Sequence, residues 1–238
     1  GRTMGSFDQK WNITVVLPTA EDFGKLVKGS YGGMYYSNGR KLISRTRGPV
    51  LLHEFTHALH HADRGSQPHP LWVVEGLATL FETSRITPAG LEPRVDETVR
   101  ELQDAIYQKR TIPLKRLLAM GPSEFMDEAR LAYVQSHYVM HYLWHKDRLK
   151  DFYVRLKRDF TKDPTGAKAF ERTLSGSIGP LDRQWREWVR PLKPEINSWR
   201  RARLGVVVRS HEQGARIAQL VADGPAERSD GVRGEDGI

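Results

Sequence analysis

The spacing of apolar residues changes twice along this chain. It alternates near the N-terminus, follows a helical repeat through the middle, and returns to a β-like pattern near the C-terminus. Residues 11–17, Trp-Asn-Ile-Thr-Val-Val-Leu, alternate and are rich in β-branched side chains, which predicts a strand that Pro18 ends. Thr19 followed by Asp22 resembles a capping box and opens a short helix that finishes by Gly29. Residues 31–36 and 41–45 flank Ser37-Asn38-Gly39-Arg40, and Asn-Gly between two β-like runs is a strong hairpin signal. After Gly48-Pro49 the pattern predicts a helix over 50–62, a loop bearing Pro and Gly over 63–70, and a second helix over 71–84. Further helices are expected at 94–108, at 124–144 as one helix or two, and at 148–160, 167–174 and 181–189. Pro191 and Pro194 then mark a boundary, and residues 204–210 and 216–221 have strand-like composition. No internal repeat is visible. Segregated β and helical regions predict an α+β fold, with a small, mostly antiparallel sheet packed on a mainly helical domain and a short β tail. The division expected is residues 1–194 as the main domain and 195–238 as linker and tail.

Composition narrows the chemistry. A chain of 238 residues with 39% hydrophobic and 28% charged residues has enough apolar surface to fold as one large domain, or one domain and a fragment. It has no cysteine, so disulfides and thiolate ligands are excluded and any metal must sit on His, Asp or Glu. The formal charge of +8 would suit nucleic acid or an anionic surface. The positive residues are scattered and no nucleic-acid motif accompanies them, so a solvated basic surface is expected and no nucleic-acid partner. No apolar run approaches the ~20 residues of a membrane helix. The start, Gly1-Arg2-Thr3-Met4-Gly5, has no signal-like apolar region and reads as an internal start or a processed end.

Residues 53–57 read His-Glu-Phe-Thr-His. On a helix, positions i and i+4 share a face, so His53 and His57 can offer two nitrogens to one Zn²⁺ at ~2.0–2.1 Å. Glu54 points to the adjacent face, where it can take a proton from water without ligating. Leu51-Leu52 and Ala58-Leu59 supply an apolar face to bury the helix. A catalytic zinc needs a third protein ligand, and Asp63, His69, Glu75 and Glu82 are the candidates. Asp63 has the spacing of metzincin-type sites, but those need Gly where this chain has His60. His69, between two prolines, reads as a surface or pocket-rim residue. His60 and His61 read as helix-end residues whose positive charge suits a C-terminus. Glu75 lies on the next helix beside Gly76 and Ala78, small residues that allow close helix approach. Glu82 lies two turns on, as a second-layer or surface group.

His53-Glu54-x-x-His57 followed on the next helix by Trp72-x-x-Glu75-Gly76-x-Ala78 resembles the gluzincin zinc peptidases. It is closest to their aminopeptidase-N-like branch and its uncharacterised bacterial relatives. The resemblance covers residues 10–190 and implies that Glu75 is the third ligand. The gap from His57 to Glu75 is one residue shorter than usual in that branch, as a loop deletion within 63–70 would produce. The family also uses a tyrosine that hydrogen-bonds the oxyanion of the tetrahedral intermediate. Tyr133, in Tyr133-Val134-Gln135-Ser136, fits that position, with Tyr138 and His137 as alternatives and a core aromatic as the plainer reading. Aminopeptidases of the family carry Gly-x-Met-Glu-Asn before the zinc helix, its Glu holding the substrate's free amine. Here the sequence is Gly32-Gly33-Met34-Tyr35-Tyr36, which lacks the acid, so endopeptidase action is expected.

Leu204-Gly205-Val206-Val207-Val208, residues 215–221 and Gly224-Pro225-Ala226-Glu227 resemble the first half of a PDZ domain, without the helix that grips peptide. Peptidases linked to PDZ domains are often extracytoplasmic, periplasmic or secreted, and the same setting is expected here. The expected function is thus zinc-dependent hydrolysis of peptide bonds, with one zinc per chain and a peptide or protein as substrate. Two rivals are a non-cleaving member of the same fold that binds zinc or peptide, and a basic nucleic-acid-binding module.

Overall fold

The computed structural model describes residues 12–29, 31–65, 67–87 and 90–195, together with the strands Val206–His211 and Gly214–Leu220. The chain divides into two compact units, residues 1–195 and 196–238.

In the first unit the β-rich part comes first. Strand β1 (Thr14–Val16) leads through Pro18 into helix α1 (Ala20–Leu26). Thr19 caps that helix, its Oγ1 accepting from the Asp22 N–H at 3.2 Å and donating to the Asp22 carboxylate at 2.8 Å. Strands β2 (Gly33–Tyr36) and β3 (Lys41–Ser44) form the hairpin that Asn38-Gly39 predicts, with Gly39 at φ 97 in the turn. The sheet order is β1-β3-β2, and β1 runs parallel to β3. The sheet is therefore mixed, not mostly antiparallel. After α1 the chain enters β2 at the end where β1 finishes; β2 carries it back, so β3 runs parallel to β1 and lies between β1 and β2. Phe23, Val27 and Ile43 form a small apolar cluster here, with Val16 and Met34 against it.

Two helices carry the candidate chemistry. Helix α2 (Pro49–Arg64) starts with Pro49 in its first turn, and Gly65 follows its end. Helix α3 (Leu71–Glu82) is apolar almost all round and buries Trp72, Val73, Gly76, Leu77, Ala78 and Leu80. Such a helix belongs inside, and α3 lies between α2 and the later helix α7. A short hairpin, β4 (Arg85–Thr87) with β5 (Gly90–Glu92), follows α3, and the helix expected from 94 begins only at Thr98. The rest is helical: α4 (Thr98–Tyr107), α5 (Leu114–Leu117), α6 (Pro122–Asp127), α7 (Ala129–His145), α8 (Leu149–Asp159), α9 (Ala167–Leu174) and α10 (Ile178–Val189). The run at 124–144 is two helices, broken at Glu128. One large core joins them around Trp72, Phe125, Tyr138, Phe152, Phe170 and Trp185.

Gly76 sets how closely α3 approaches α7. A Cβ there would lie 2.8 Å from both the Ser136 carbonyl oxygen and the Met140 Cγ. Alanine in a helix interior normally gains up to about 1 kcal/mol over glycine; here the sign should reverse. Gly76→Ala is expected to destabilise by about 1–3 kcal/mol through overpacking, a loss of several degrees in Tm measured by calorimetry. An unchanged or raised Tm would show that the two helices can separate freely.

In the second unit, β6 (Val206–His211) and β7 (Gly214–Leu220) form an antiparallel hairpin with a register shift at Val207/Val208. The two strand-like segments of the tail are thus strands. The flanking segments on which the PDZ-like resemblance also rests, 204–205 and 221–238, lie outside the described residues. No helix among the described residues is long and apolar enough to cross a membrane.

Candidate metal centre

The i, i+4 spacing on α2 brings the His53 and His57 Nε2 atoms to 3.0 Å from each other. α3 delivers the Glu75 carboxylate to the same point, with Oε2 at 3.5 Å from His53 Nε2 and 3.6 Å from His57 Nε2. Three ligand atoms at ~2.0–2.1 Å from one tetrahedral ion would stand roughly 3.3–3.4 Å apart. The observed separations bracket that value, and the donor set of two imidazoles and one carboxylate is a suitable one. His53, His57 and Glu75 can hold a metal ion, and they are the one such group of three among the described residues. Asp63 instead pairs with Lys157 at 2.8 Å.

Glu82 orients the site. Its carboxylate accepts from His53 Nδ1 at 2.9 Å, which leaves Nε2 directed at His57 and Glu75. Burial alone would lower the His53 pKa, but the hydrogen bonds from His53 to Glu75 and Glu82 outweigh it and raise it to about 10. His57 is pushed down to about 4 by burial, against the pull of Glu75. In the metal-free protein His53 thus carries the proton and His57 accepts. A carboxylate behind a ligating histidine typically contributes 10–100-fold in metal affinity. Glu82→Ala should therefore weaken metal binding by about that factor in a competition titration with a chelating dye. Affinity equal to the parent would mean that the ring is held by packing alone.

Glu54 lies one residue on from His53 and is almost fully buried. Its environment is made by the strand above it. The Tyr35 N–H donates to its carboxylate, while burial dominates and raises its pKa to about 7, with Glu75 adding to the rise. β2 can pass so close because residue 33 is glycine: a Cβ there would meet the Glu54 Cγ at 2.7 Å. The Gly-Gly-Met stretch, which lacks the acid of the resembling family, thus fits sterically over Glu54. The signal available was a glycine inside a β-like run, which often marks a close backbone approach.

Tyr133 enters from α7, the third wall. It lies beside the Glu75 carboxylate, its ring packs 5.4 Å from Phe125, and burial followed by the Glu75 charge raises its pKa. It borders the cleft. The alternatives do not: Tyr138 is fully buried and donates to Asp96 at 3.0 Å, and His137 is buried, stacked on Tyr138 and on His141.

Two histidines sit differently from expectation. His69 is neither on the surface nor at a rim, and His60 is not a charged helix end. Both are buried; His60 Nε2 donates to His69 Nδ1 at 2.9 Å, and His69 Nε2 donates to Gln67 Oε1 at 3.1 Å. Burial first, then neighbouring positive groups, depresses both pKa values, that of His69 to about 4. The neutral pair ties the 65–70 loop to α2, with Tyr153 packed against both rings. No sequence pattern announces such a contact, because it joins a helix face to a loop.

His53, Glu54, His57, Glu75 and Tyr133 line one cleft of about 370 Å³, closed on the strand side by Gly33, Met34 and Tyr35. A larger cavity of about 520 Å³, beside Glu101, Asp104 and Arg130, holds no comparable ligand set, and Arg130 and Glu101 form an ion pair there.

Compared with curated proteins, the chain has no match. Residues 50–165, which span α2 to α8 and include His53, Glu54, His57, Glu75 and Tyr133, match a family described as a protein of unknown function (DUF1570).

Proposed function

We propose that this chain is a zinc-dependent peptidase of the gluzincin type, cleaving within peptides. The observation that carries the reading is the convergence of His53, His57 and Glu75 on one point, with the buried carboxylate of Glu54 and the hydroxyl of Tyr133 at the edges of the same cleft. When bound, zinc polarises a carbonyl and acidifies water. Glu54 accepts a proton from the attacking water and returns it to the leaving amine; its pKa of about 7 suits both steps near neutrality. A cation bound beside it would lower that value from about 7. Tyr133 donates to the oxygen that gains charge as the carbonyl becomes tetrahedral. Tyr35 stands where aminopeptidases of the resembling family hold an amine-binding acid, and its hydroxyl meets His61 at 3.1 Å. Nothing on this stretch of β2 attracts a free amine, which favours an endopeptidase.

The test is metal analysis of the purified chain together with digestion of an unbiased peptide library. One zinc per chain and internal cleavages are expected. Stepwise trimming from a free N-terminus would make it an aminopeptidase, and no cleavage in the zinc-loaded form would leave a binding protein. Tyr133→Phe should keep its zinc and lose ~10²-fold or more in kcat; an unaltered kcat would return Tyr133 to a packing role.

A further inference from the structure

Beyond the metal ligands, α2 continues the same face with different chemistry. His53, His57, His60 and His61, then Arg64, follow one another down the side of the helix that lines the cleft. Tyr35 reaches over from β2 to His61. Arg40 and Arg64 both lie near this Tyr35–His61 pair and, after burial, hold the His61 pKa down. The Arg64 guanidinium is partly buried. Its Nη1 donates to the carbonyl oxygens of Gly65 and Gln67, and among the described residues no carboxylate pairs with it. Its neighbour Asp63 is engaged by Lys157. Withdrawing a cation from water without a counter-charge is costly, and burial lowers the Arg64 pKa accordingly. Among the described residues its other two nitrogens have no hydrogen-bond partner, and together they suit the bidentate contact that a guanidinium makes best.

Resting on the peptidase reading, we infer that the end of the cleft formed by Arg64, His61 and Tyr35 binds a carboxylate of the substrate. Seven residues of helix separate His57 from Arg64, a rise of about 10 Å, equivalent to about three residues of extended peptide. The reach of the arginine side chain shortens this, so the carboxylate lies within about three residues of the bond that Glu54 serves. An acidic side chain fits cleavage within peptides; a free C-terminal carboxylate offers the same chemistry from another source.

The experiment uses the full zinc-loaded chain carrying Glu54→Gln, so that ligands bind without being consumed. The probes are N-acetylated, alanine-rich hexapeptides with Glu or Gln at each position in turn, each with a free or an amidated C-terminus, followed by fluorescence competition. At one position Glu should bind about 10-fold or more tightly than Gln. Arg64→Gln, which can still donate to the Gln67 carbonyl, should reduce that ratio to about twofold or less, and Arg64→Lys should keep part of it. A preference for free acid over amide that depends on Arg64 would support the site with the C-terminus as source. Equal binding of every acid and amide pair would overturn the inference, as would a preference that persists in Arg64→Gln. If Arg64→Gln misfolds, Arg64→Lys decides the point: a Glu preference undiminished in that variant would overturn the inference. An Arg64-dependent preference in a chain that cleaves nothing would remove the peptidase reading and keep the carboxylate site. Cleavage without any preference would do the reverse.

Discussion

Glu54→Gln is expected to leave the fold and zinc content nearly unchanged while turnover of a cleavable peptide falls by ~10²–10⁴-fold. Glu54 faces about 100° away from His53 on the helix, and the group that can hold a metal, His53, His57 and Glu75, does not include it. Glutamine keeps the size of the side chain and can still accept from the Tyr35 N–H, so β2 should remain seated over it. What it loses is the capacity to take a proton. The pH profile supplies a second readout. In the parent, kcat/KM should fall as pH drops through the Glu54 pKa, which is about 7 without metal and lower with it. The acidic limb should be absent from the residual activity of the variant. Parent-like turnover in Glu54→Gln would remove the mechanism, whatever the metal analysis shows.

His53→Ala or His57→Ala should abolish stoichiometric zinc, and with it all turnover. Each change removes one of three ligands from a site whose remaining atoms cannot complete a tetrahedral set. Zinc binding should also depend on pH in a defined direction. The His53 pKa in the metal-free protein is raised to about 10, so below that pH zinc must displace its proton. Apparent affinity should therefore rise with pH, by up to about tenfold per unit near neutrality, with about one proton released per zinc. Calorimetric titration in buffers of different ionisation enthalpy measures that proton directly. Full zinc occupancy in both histidine variants, or binding that does not vary with pH, would place the metal elsewhere.

The local signals were legible because they depend on neighbours in sequence. The Thr19 cap, the Asn38-Gly39 turn and the Gly48-Pro49 helix start are each set by backbone preferences over a few residues. The pairing of His53 with His57 follows from helical spacing alone. The sheet was less legible: a strand's hydrophobic pattern does not say whether its neighbour runs parallel, and β1 proved parallel to β3. The hairpin at 85–92 was missed because its strands have three residues each, too short to show alternation.

The sequence by itself determined the chemistry available: no thiolates, two histidines one turn apart, an acid beside them, and a limited choice of third ligand. Only the tertiary structure shows which of those candidates reaches the two histidines, because that is a distance between separate elements. Gly76 brings α3 and α7 close, which places Glu75 and Tyr133 in one cleft, while Asp63 is drawn to Lys157 and His69 is buried against His60. The same holds for Glu54. Its place on the helix follows from the sequence, but the raised pKa comes from burial beneath β2, which approaches because Gly33 has no side chain to keep it away.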